Sequence, residues 1–359
     1  MTIHKDFSLG LNTYFLTRFS STALIARQNN SPYFKTNFSN KSSDKTPFSL
    51  SSLKSEFSFH TLTALPGTAS QLIIQFSHNS SEMVKIRIIP NVPALQIQLK
   101  NEKILCIADL HIGFEKELEK SGIKIPPQTP SILKSIQQLL EKISPSKLII
   151  LGDVKHEITA PRYQEVIDVY DFLVALSKKV QTEIVPGNHD GQIDAIVPPE
   201  VKVHSPRGIV IKEEKEVIGL IHGHAWPDVK LLGAHYLIMA HIHPLIQLTT
   251  GTGFKVTYPI WIKATWNANC IARAYLKYVK IKTTENPVQQ IKELFGVEVS
   301  ETKIIIMPAY NKMLGGIPMN TTQKLLGPLL KTNCVFPSNM EIYLLDGTYL
   351  GKLASLKNE

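Results

Sequence analysis

From Met83 onward, short apolar runs alternate with longer segments whose apolar residues recur every three to four positions. The short runs are rich in Ile, Leu and Val, which favours strands, whereas the longer segments have the period of amphipathic helices. The predicted strands are Ile104–Asp109, Lys147–Leu151, Thr182–Val185, Gly208–Lys212, Val217–Ile221, Tyr236–Ala240 and Lys303–Met307. This alternation is typical of an α/β domain.

Two amphipathic helices are predicted between these strands. The first, Ser131–Ile143, ends just before Pro145. Its apolar face consists of Ile132, Ile136, Leu139, Leu140 and Ile143. The second, Arg162–Lys178, has an apolar face of Val166, Val169, Tyr170, Leu173 and Leu176. No segment approaches the roughly 18 consecutive apolar residues of a membrane-spanning helix, so we expect a soluble protein without membrane contact.

Residues 1–82 differ from the rest in composition. They hold 16 of the 26 serines and only four acidic residues, and their aromatic residues follow no sustained period. We therefore predict a poorly ordered, Ser-rich N-terminal segment at 1–82. Two alternatives stay open, namely a transit peptide and a start site assigned too early, with Met83 as the true start.

The charge balance and the cysteines bear on partners and location. Lys and Arg number 39 against 30 Asp and Glu, a net charge of +9, which favours a polyanionic partner. The three cysteines, Cys106, Cys270 and Cys334, are odd in number and lack CxxC spacing. We therefore expect neither a disulfide framework nor a zinc ribbon, and a cytoplasmic location.

Metal-type ligands follow five of the predicted strands. These residues are Asp109, His111, Asp153, Asn188, His189, His222, His224, His241 and His243. In an α/β sheet, functional residues collect outside the carboxyl ends of the strands, so these side chains can converge. Nitrogen and oxygen ligands without thiolate suit Mn²⁺, Fe²⁺, Zn²⁺ or Ni²⁺. The carboxylate of Asp153 has two oxygens and can bridge two ions about 3.5–4 Å apart.

The ordered motifs DLH, GD, GNHD, HGH and a final HxH, spread over residues 109–243, resemble the calcineurin-like metallophosphoesterase superfamily. The continuation GDVKHE and the late segment Met307–Gly316 (MPAYNKMLGG) resemble its archaeal SbcD-related phosphoesterase group. The resemblance implies an α/β fold of four layers, an αββα sandwich of two mixed sheets, for residues 83–359. Bacterial relatives of this group accompany DNA ligase and helicase genes, so the resemblance favours DNA as the substrate.

The resemblance also implies roles for individual residues. One divalent ion would be held by Asp109, His111, Asp153 and His243, and a second by Asp153, Asn188, His222 and His241. Mn²⁺ is the expected metal, with Fe²⁺, Zn²⁺ or Ni²⁺ as alternatives. A hydroxide bridging the metals would attack the phosphodiester, and His189 would stabilise or protonate the departing oxygen. The expected activity is therefore that of a nuclease, with DNA-repair proteins as partners and a homodimer as an option.

Several positions offer further contacts or depart from the family pattern. Candidate substrate contacts are Lys155, His156, His224, Arg162 and Arg207. His156 replaces the second Asp of the usual GDxxD motif, and Ala240 replaces the usual Gly before the last HxH. Asp190 is expected to bind local backbone, while Tyr310 and Asn311 either contact a base or belong to a turn. Two other functions stay open: a phosphatase or phosphodiesterase acting on nucleotides or other small phosphoesters, and a non-catalytic scaffold.

Overall fold

The computed structural model describes residues 84–158, 163–321 and 325–357. The predicted N-terminal segment 1–82 lies outside the described residues, as does the candidate substrate contact Arg162. None of the described helices is long and apolar enough to cross a bilayer.

The first sheet has six strands that lie side by side in chain order. They are β1 Lys85–Ile88, β2 Ala94–Gln98, β3 Lys103–Ile107, β4 Lys147–Ile150, β5 Gln181–Ile184 and β6 Lys202–Val203. Strands β1 to β3 are antiparallel, and β3 to β6 are parallel. Helices α1 Phe114–Lys120 and α2 Thr129–Ile143 connect β3 to β4, and α3 Tyr163–Ser177 lies between β4 and β5. The carboxyl ends of β3, β4 and β5 therefore meet at one edge.

The second sheet is mixed and has nine strands. They are β7 Ile209–Glu213, β8 Glu216–Leu220, β9 Tyr236–Met239, β10 Pro244–Thr249, β11 Lys255–Thr265, β12 Lys303–Ile306, β13 Ile317–Pro318, β14 Glu341–Leu344 and β15 Tyr349–Lys352. The spatial order is β13-β10-β11-β12-β9-β8-β7, with β14 on β11 and β15 on β14. In the chain, helix α4 Ala268–Tyr278 follows β11, helix α5 Pro287–Phe295 follows α4, and helix α6 Pro328–Lys331 follows β13. Short 3₁₀ turns lie at Ile193–Ala195, Val229–Gly233, Pro337–Asn339 and Leu353–Leu356.

Three apolar cores define four layers. Leu95, Ile97 and Cys106 of the first sheet pack against Ile238 and Trp261 of the second, and all five are buried. The other face of the first sheet is covered by the apolar stripes of α2 and α3. The other face of the second sheet is covered by α4 and α5. The αββα sandwich of two mixed sheets is thereby confirmed.

The predicted strands and helices are present, with ends shifted by at most two residues. Helix α2 begins at Thr129 because Pro130 fits the first turn of a helix. In α3, Phe172 is buried in the core, whereas Tyr170, predicted on the apolar face, is 43% exposed. Strand β11 was not predicted, and Pro259 within it is an unusual strand residue that pairs with Leu245 of β10.

A disulfide joins Cys270 to Cys334, which corrects the expectation that the cysteines form no disulfide framework. The two residues are 64 positions apart in the chain, and their Cα atoms lie 5.4 Å apart. They meet because the segment before α4 pairs with the segment after α6 through the bridge between Trp266 and Val335. Cys106 is free and buried between the sheets, where burial raises the pKa of its thiol.

Candidate metal centre

The predicted ligands converge because both sheets present strand ends at the same place. Asp109 and His111 follow β3, Asp153 follows β4, and Asn188 and His189 follow β5. The second sheet adds His222 after β8, and His241 and His243 after β9. Parallel pairing of β3 with β4, of β4 with β5 and of β8 with β9 puts these loops at one edge of each sheet.

One group of potential metal ligands consists of Asp109, His111, Asp153 and His243. One ligand atom from each residue lies within 4.8 Å of the others. Nε2 of His111 is 3.4 Å from Oδ2 of Asp153, and Nε2 of His243 is 3.2 Å from Oδ1 of Asp109. This is the ligand set that the family resemblance implies for one ion.

A second group consists of Asp153, His222 and His241, whose ligand atoms also lie within 4.8 Å of one another. Nε2 of His222 is 3.3 Å from Oδ2 of Asp153. Asp153 thus belongs to both groups, as a bridging carboxylate must. The backbone N–H of His189 donates to Oδ1 of Asp153 over a distance of 2.8 Å. This hydrogen bond holds the loop that carries the neighbouring Asn188 next to the loop of Asp153.

Unpaired buried atoms indicate that these residues fit divalent ions. Buried polar atoms are nearly always hydrogen-bonded, yet several side-chain atoms here have no hydrogen-bond partner. They are both carboxylate oxygens of Asp109, Nε2 of His111, His222 and His243, and Oδ1 of Asn188. Imidazole nitrogen with carboxylate and amide oxygen is a donor set suited to borderline divalent metals. A metal would satisfy the atoms that the protein leaves unpaired.

Backbone contacts orient the histidine rings. Nδ1 of His222 lies 2.8 Å from the carbonyl oxygen of Leu151, and Nδ1 of His243 lies 3.2 Å from that of Gly315. A carbonyl only accepts, so each Nδ1 carries the hydrogen and each Nε2 has a lone pair available for a metal. Gly315 belongs to the late MPAYNKMLGG segment, which therefore helps to orient His243.

Five of the candidate ligands have left-handed backbone conformations. The φ angles are 56° for Asp109, 44° for His111, 52° for Asp153, 76° for His241 and 41° for His243. Such angles cost about 1–2 kcal/mol for a residue with a Cβ, and they cluster at functional sites. Packing around the loops must hold this strain.

Ala240, which replaces the usual glycine of the family, has no left-handed conformation. The substitution therefore adds no strain at that position.

Two motif glycines let the loops approach closely. A Cβ built on Gly152 would lie 2.3 Å from Nδ1 of His222, and one built on Gly187 would lie 2.1 Å from Oδ1 of Asp153. Gly152 also has φ of 77°, which disfavours any other residue. Gly152 thus permits the contact between the loops of the two sheets, and Gly187 permits the contact between the loops that follow β4 and β5 of the first sheet.

Charge pairing dominates the ionisation of the buried centre. Burial acts to raise the pKa of the Asp153 carboxyl, but the adjacent imidazoles of His111 and His222 hold it well below its usual range. Burial acts to lower the pKa of His222, but the contact with Asp153 raises it to about 9. Protonated His222 is therefore the counter-charge of Asp153 until a cation takes that place.

The sequence profile of one protein family, described as calcineurin-like phosphoesterase, matches residues 102–268. That range contains every residue of both ligand groups. This segment is therefore similar to the calcineurin-like phosphoesterases. The phosphoesterase is thus a hydrolase that acts on phosphoester bonds, and its His and Asp groups fit divalent metal ions.

Two solved structures are similar to the phosphoesterase. Pseudomonas putida nuclease MPE shares 19% identity, with 73% of this chain and 97% of that chain covered and a TM-score of 0.39. Yfce, a phosphoesterase from E. coli, shares 20% identity, with 41% of this chain and 74% of that chain covered and a TM-score of 0.27. Since both TM-scores lie below 0.5, neither similarity bears on the substrate.

His189 lies beside the first ligand group of the phosphoesterase. Its ring centroid is 4.5 Å from that of His111 in an edge-to-face arrangement, and its ring stacks on His156 at 5.5 Å. Nδ1 of His189 is hydrogen-bonded to the carbonyl oxygen of His156. Nδ1 of His156 is in turn 3.2 Å from Nδ1 of His111, so His156 lies behind a candidate ligand.

Lys155, predicted as a substrate contact, is fully buried. Its ammonium donates hydrogen bonds to the carbonyl oxygens of Glu157 and His189. Burial lowers the pKa of this amine. The structure thus places Lys155 under the backbone of His189, as a support for that loop.

Glu165 of α3 supports the same loop and was not predicted. Its Oε1 accepts hydrogen bonds of 2.9 Å from the backbone N–H groups of both His156 and Glu157. In the sequence, Glu165 lies four residues before Val169 and therefore on the predicted apolar face of this helix. An acidic residue at such a position is the signal that could have indicated this role.

The other predicted substrate contacts lie on the second-sheet side. The ring of His224 is 5.4 Å from that of His222 and 6.2 Å from that of His241, close to the second ligand group. The guanidinium of Arg207 donates to the carbonyl oxygen of Pro227 at 3.1 Å and to the hydroxyl of Tyr275 at 3.0 Å. Arg207 is thus held by protein groups.

The late motif acts within the protein. Tyr310 is only 5% exposed, and its hydroxyl is 2.9 Å from Oγ of Ser135. The side chain of Asn311 donates to the carbonyl oxygen of Leu110 at 2.9 Å. The alternative in which these residues contact a base is therefore wrong, because both are buried and hold the loop that carries Asp109.

Asp190 behaves as expected from its position after a turn. Its carboxylate accepts hydrogen bonds from the backbone N–H groups of Gly187 at 2.8 Å and Val154 at 2.9 Å. Asp190 therefore ties the GNHD loop to the loop of Asp153.

Proposed function

We propose that the protein is a two-metal nuclease that hydrolyses the phosphodiester bonds of DNA. The observation that carries this proposal is the pair of ligand groups that share Asp153 and leave their buried donor atoms unpaired. One ion would be held by Asp109, His111, Asp153 and His243, and the other by Asp153, Asn188, His222 and His241. Mn²⁺ is the metal we propose, since nitrogen and oxygen donors without thiolate suit it.

Two such ions, when bound, supply an activated water near neutral pH and neutralise the charge that develops on the phosphoryl oxygens. The chain's own residues position these parts. Asp153 fixes the two ligand groups relative to each other, and the strained loops of Asp109 and His241 hold their side chains in convergent directions. Preorganisation of this kind favours catalysis because nothing has to reorganise during the reaction.

His189 is proposed to act on the leaving group. Its Nδ1 must carry a hydrogen, because the partner is the carbonyl oxygen of His156. Nε2 therefore carries a proton only in the imidazolium form, in which it can donate that proton to the departing oxygen. Lys155 and Glu165 position the loop through backbone contacts, so they are positioning residues.

Charge supports nucleic acid as the substrate. The chain carries a net charge of +9, and a positive surface favours polyanions.

The archaeal SbcD-related group, DNA-repair partners and a homodimer stay predictions from the sequence, as does the extent of the phosphoesterase domain over residues 83–359. The cytoplasmic location also stays a prediction, and the Cys270–Cys334 disulfide counts against it.

The test uses protein stripped of metal and reloaded with Mn²⁺. A labelled single-stranded DNA, an aryl phosphodiester and an aryl phosphomonoester are offered in parallel, with His189→Ala and Asp153→Asn as variants. We expect metal-dependent DNA cleavage that both variants lose while they keep the circular dichroism of the folded protein. Turnover of the small esters with intact DNA would contradict the nuclease and favour nucleotides or other small phosphoesters. No turnover of any ester would favour the scaffold.

A further inference from the structure

An open cavity of about 1000 Å³ lies between helix α4, helix α6 and Trp226. We call it the α4–α6 pocket. Its lining includes the aromatic residues Trp226 and Tyr278 and five basic residues. The basic residues are Arg273, Lys277, Lys280, Lys282 and Lys331. We propose that this pocket binds a single-stranded segment of nucleic acid and guides it to the metal centre, an inference that rests on the proposed function.

The charge of the α4–α6 pocket is of one sign. No Asp or Glu lines it, and none of its five basic residues forms an ion pair with a carboxylate in the part of the chain that the structure describes. The sequence explains this, because the segments 229–284 and 302–340, which supply almost the whole lining, contain no acidic residue. Unpaired cations along a groove are what a phosphodiester backbone neutralises when it displaces its counterions.

The aromatic residues give the pocket a surface for bases. The rings of Trp226 and Tyr278 are stacked, with centroids 5.0 Å apart and planes at 19°. Tyr278 is 45% exposed, so the ring that Trp226 supports on one side is accessible to solvent. Basic residues that follow the backbone, combined with an exposed ring on which a base can stack, are typical of single-strand binding. A duplex keeps its bases stacked inside and would leave this ring without a partner.

Trp226 and α6, which line the pocket, both connect to residues next to the second ligand group. Trp226 follows His224 by two residues, at most about 7 Å along the chain, and the His224 ring is 6.2 Å from that of His241. Gly327, directly before α6, packs against the loop of His222, since a Cβ there would lie 2.4 Å from the carbonyl oxygen of Gly223. Lys331, at the other end of α6, lies about 6 Å from Gly327 along the helix axis. A strand in the pocket therefore lies within a few nucleotides of the metal centre.

The disulfide fixes the walls of the pocket. Cys270 in α4 and Cys334 after α6 both line it and are covalently joined. The cations of α4 and Lys331 thus keep their spacing without a ligand, which lowers the entropy lost on binding.

The test measures binding to the Mn²⁺-loaded protein by fluorescence anisotropy. The probe is a labelled, phosphorothioate-linked oligothymidylate of about 15 nucleotides, long enough for one single-strand site and resistant to hydrolysis. Tyr278→Ala is expected to weaken binding about 5- to 150-fold, the loss of one base stack. Tyr278→Phe keeps the ring and is expected to retain wild-type affinity. Lys277→Gln combined with Lys331→Gln should reduce the slope of log affinity against log salt by about 1.4, or about 0.7 for each lost phosphate contact.

Lys142→Gln, an exposed cation on α2, is the matched control and should change neither affinity nor slope. Unchanged binding in Tyr278→Ala and in the double lysine variant would overturn the proposal. Equal competition by polyglutamate, with no effect of Tyr278→Ala, would overturn it in favour of an acidic protein partner.

Turnover of an aryl phosphodiester by the wild type separates this inference from the proposed function. Turnover without binding of the oligonucleotide rejects the pocket and leaves a phosphoesterase. Binding that depends on Tyr278, without turnover of any ester or DNA, supports the pocket and rejects the nuclease.

Discussion

Removal of the Cys270–Cys334 disulfide should lower the stability of the protein by an amount that the chain length predicts. The cross-link closes a loop between residues 64 positions apart. In the chain-entropy description, a loop of that length removes about 14 cal/mol/K from the unfolded state, or about 4 kcal/mol at 25 °C. With an m-value of about 3 kcal/mol per M urea, the unfolding midpoint should fall by about 1.4 M.

The assay is urea unfolding followed by circular dichroism. Wild type is compared with and without a phosphine reductant, next to the double variant Cys270→Ser with Cys334→Ser, which the reductant should not affect. Cys106→Ala is the matched control, because it removes the free cysteine and keeps the disulfide, so its response to reductant should equal that of wild type.

Peptide mapping without reduction first verifies the link between the two cysteines. A verified link whose removal lowers the free energy of unfolding by less than about 1 kcal/mol would refute the reasoning from loop closure. Absence of the link in protein purified under oxidising conditions would refute the pairing itself.

Three further predictions concern the loops and the acid stability. Gly187→Ala should abolish metal-dependent turnover while circular dichroism shows that the fold is retained, because a Cβ 2.1 Å from Oδ1 of Asp153 must displace that carboxylate. Normal metal titration of this variant would contradict the prediction. Lys155→Met should lower the free energy of unfolding, measured in urea, by about 2–5 kcal/mol, since it leaves two backbone carbonyls without a donor. A loss below about 1 kcal/mol would argue against a supporting role of the Lys155 ammonium. Burial acts to raise the pKa of Glu183, but the hydrogen bond from His204 lowers that pKa below 4.5. The stabilisation from ionised Glu183 is therefore present above pH 4.5 and is lost as the pH falls through the lowered pKa. Glu183→Gln should show a shallower loss of melting temperature in that acid range than the wild type, and an identical pH profile would count against the Glu183–His204 pair.

Much of the fold and the set of candidate ligands could be predicted because the relevant signals are local. A buried strand such as Lys147–Ile150 is nearly all apolar, and Asp153 after it stands out as a polar residue that the core cannot explain. Parallel pairing then brings the ends of β3, β4 and β5 together whatever their separation in sequence. The spacing of two residues between His241 and His243 is visible in the same way.

What could not be predicted depends on partners that the topology brings from far away. Lys155 reads as an exposed cation ready for a phosphate, but the carbonyl oxygen of His189, 34 residues later, binds its ammonium inside the protein. Cys270 and Cys334 pair only because β11 and the segment after α6 become neighbours. Strand β11 itself is obscured by Pro259. This proline is tolerated because, among the described strands, it pairs with β10 alone, and the pairings of β11 with β14 and β12 begin only at Ile260 and Ile262.

The two candidate ligand groups draw on both sheets, and this has a consequence for how the protein assembles. His222, His241 and His243 come from the second sheet, whereas Asp109, His111 and Asp153 come from the first. Each set of ligands is therefore complete only after the two sheets have docked. Part of the free energy of metal binding consequently stabilises the docked arrangement of the sheets. Metal availability during synthesis would thus influence how often the two halves of the sandwich separate once they have met.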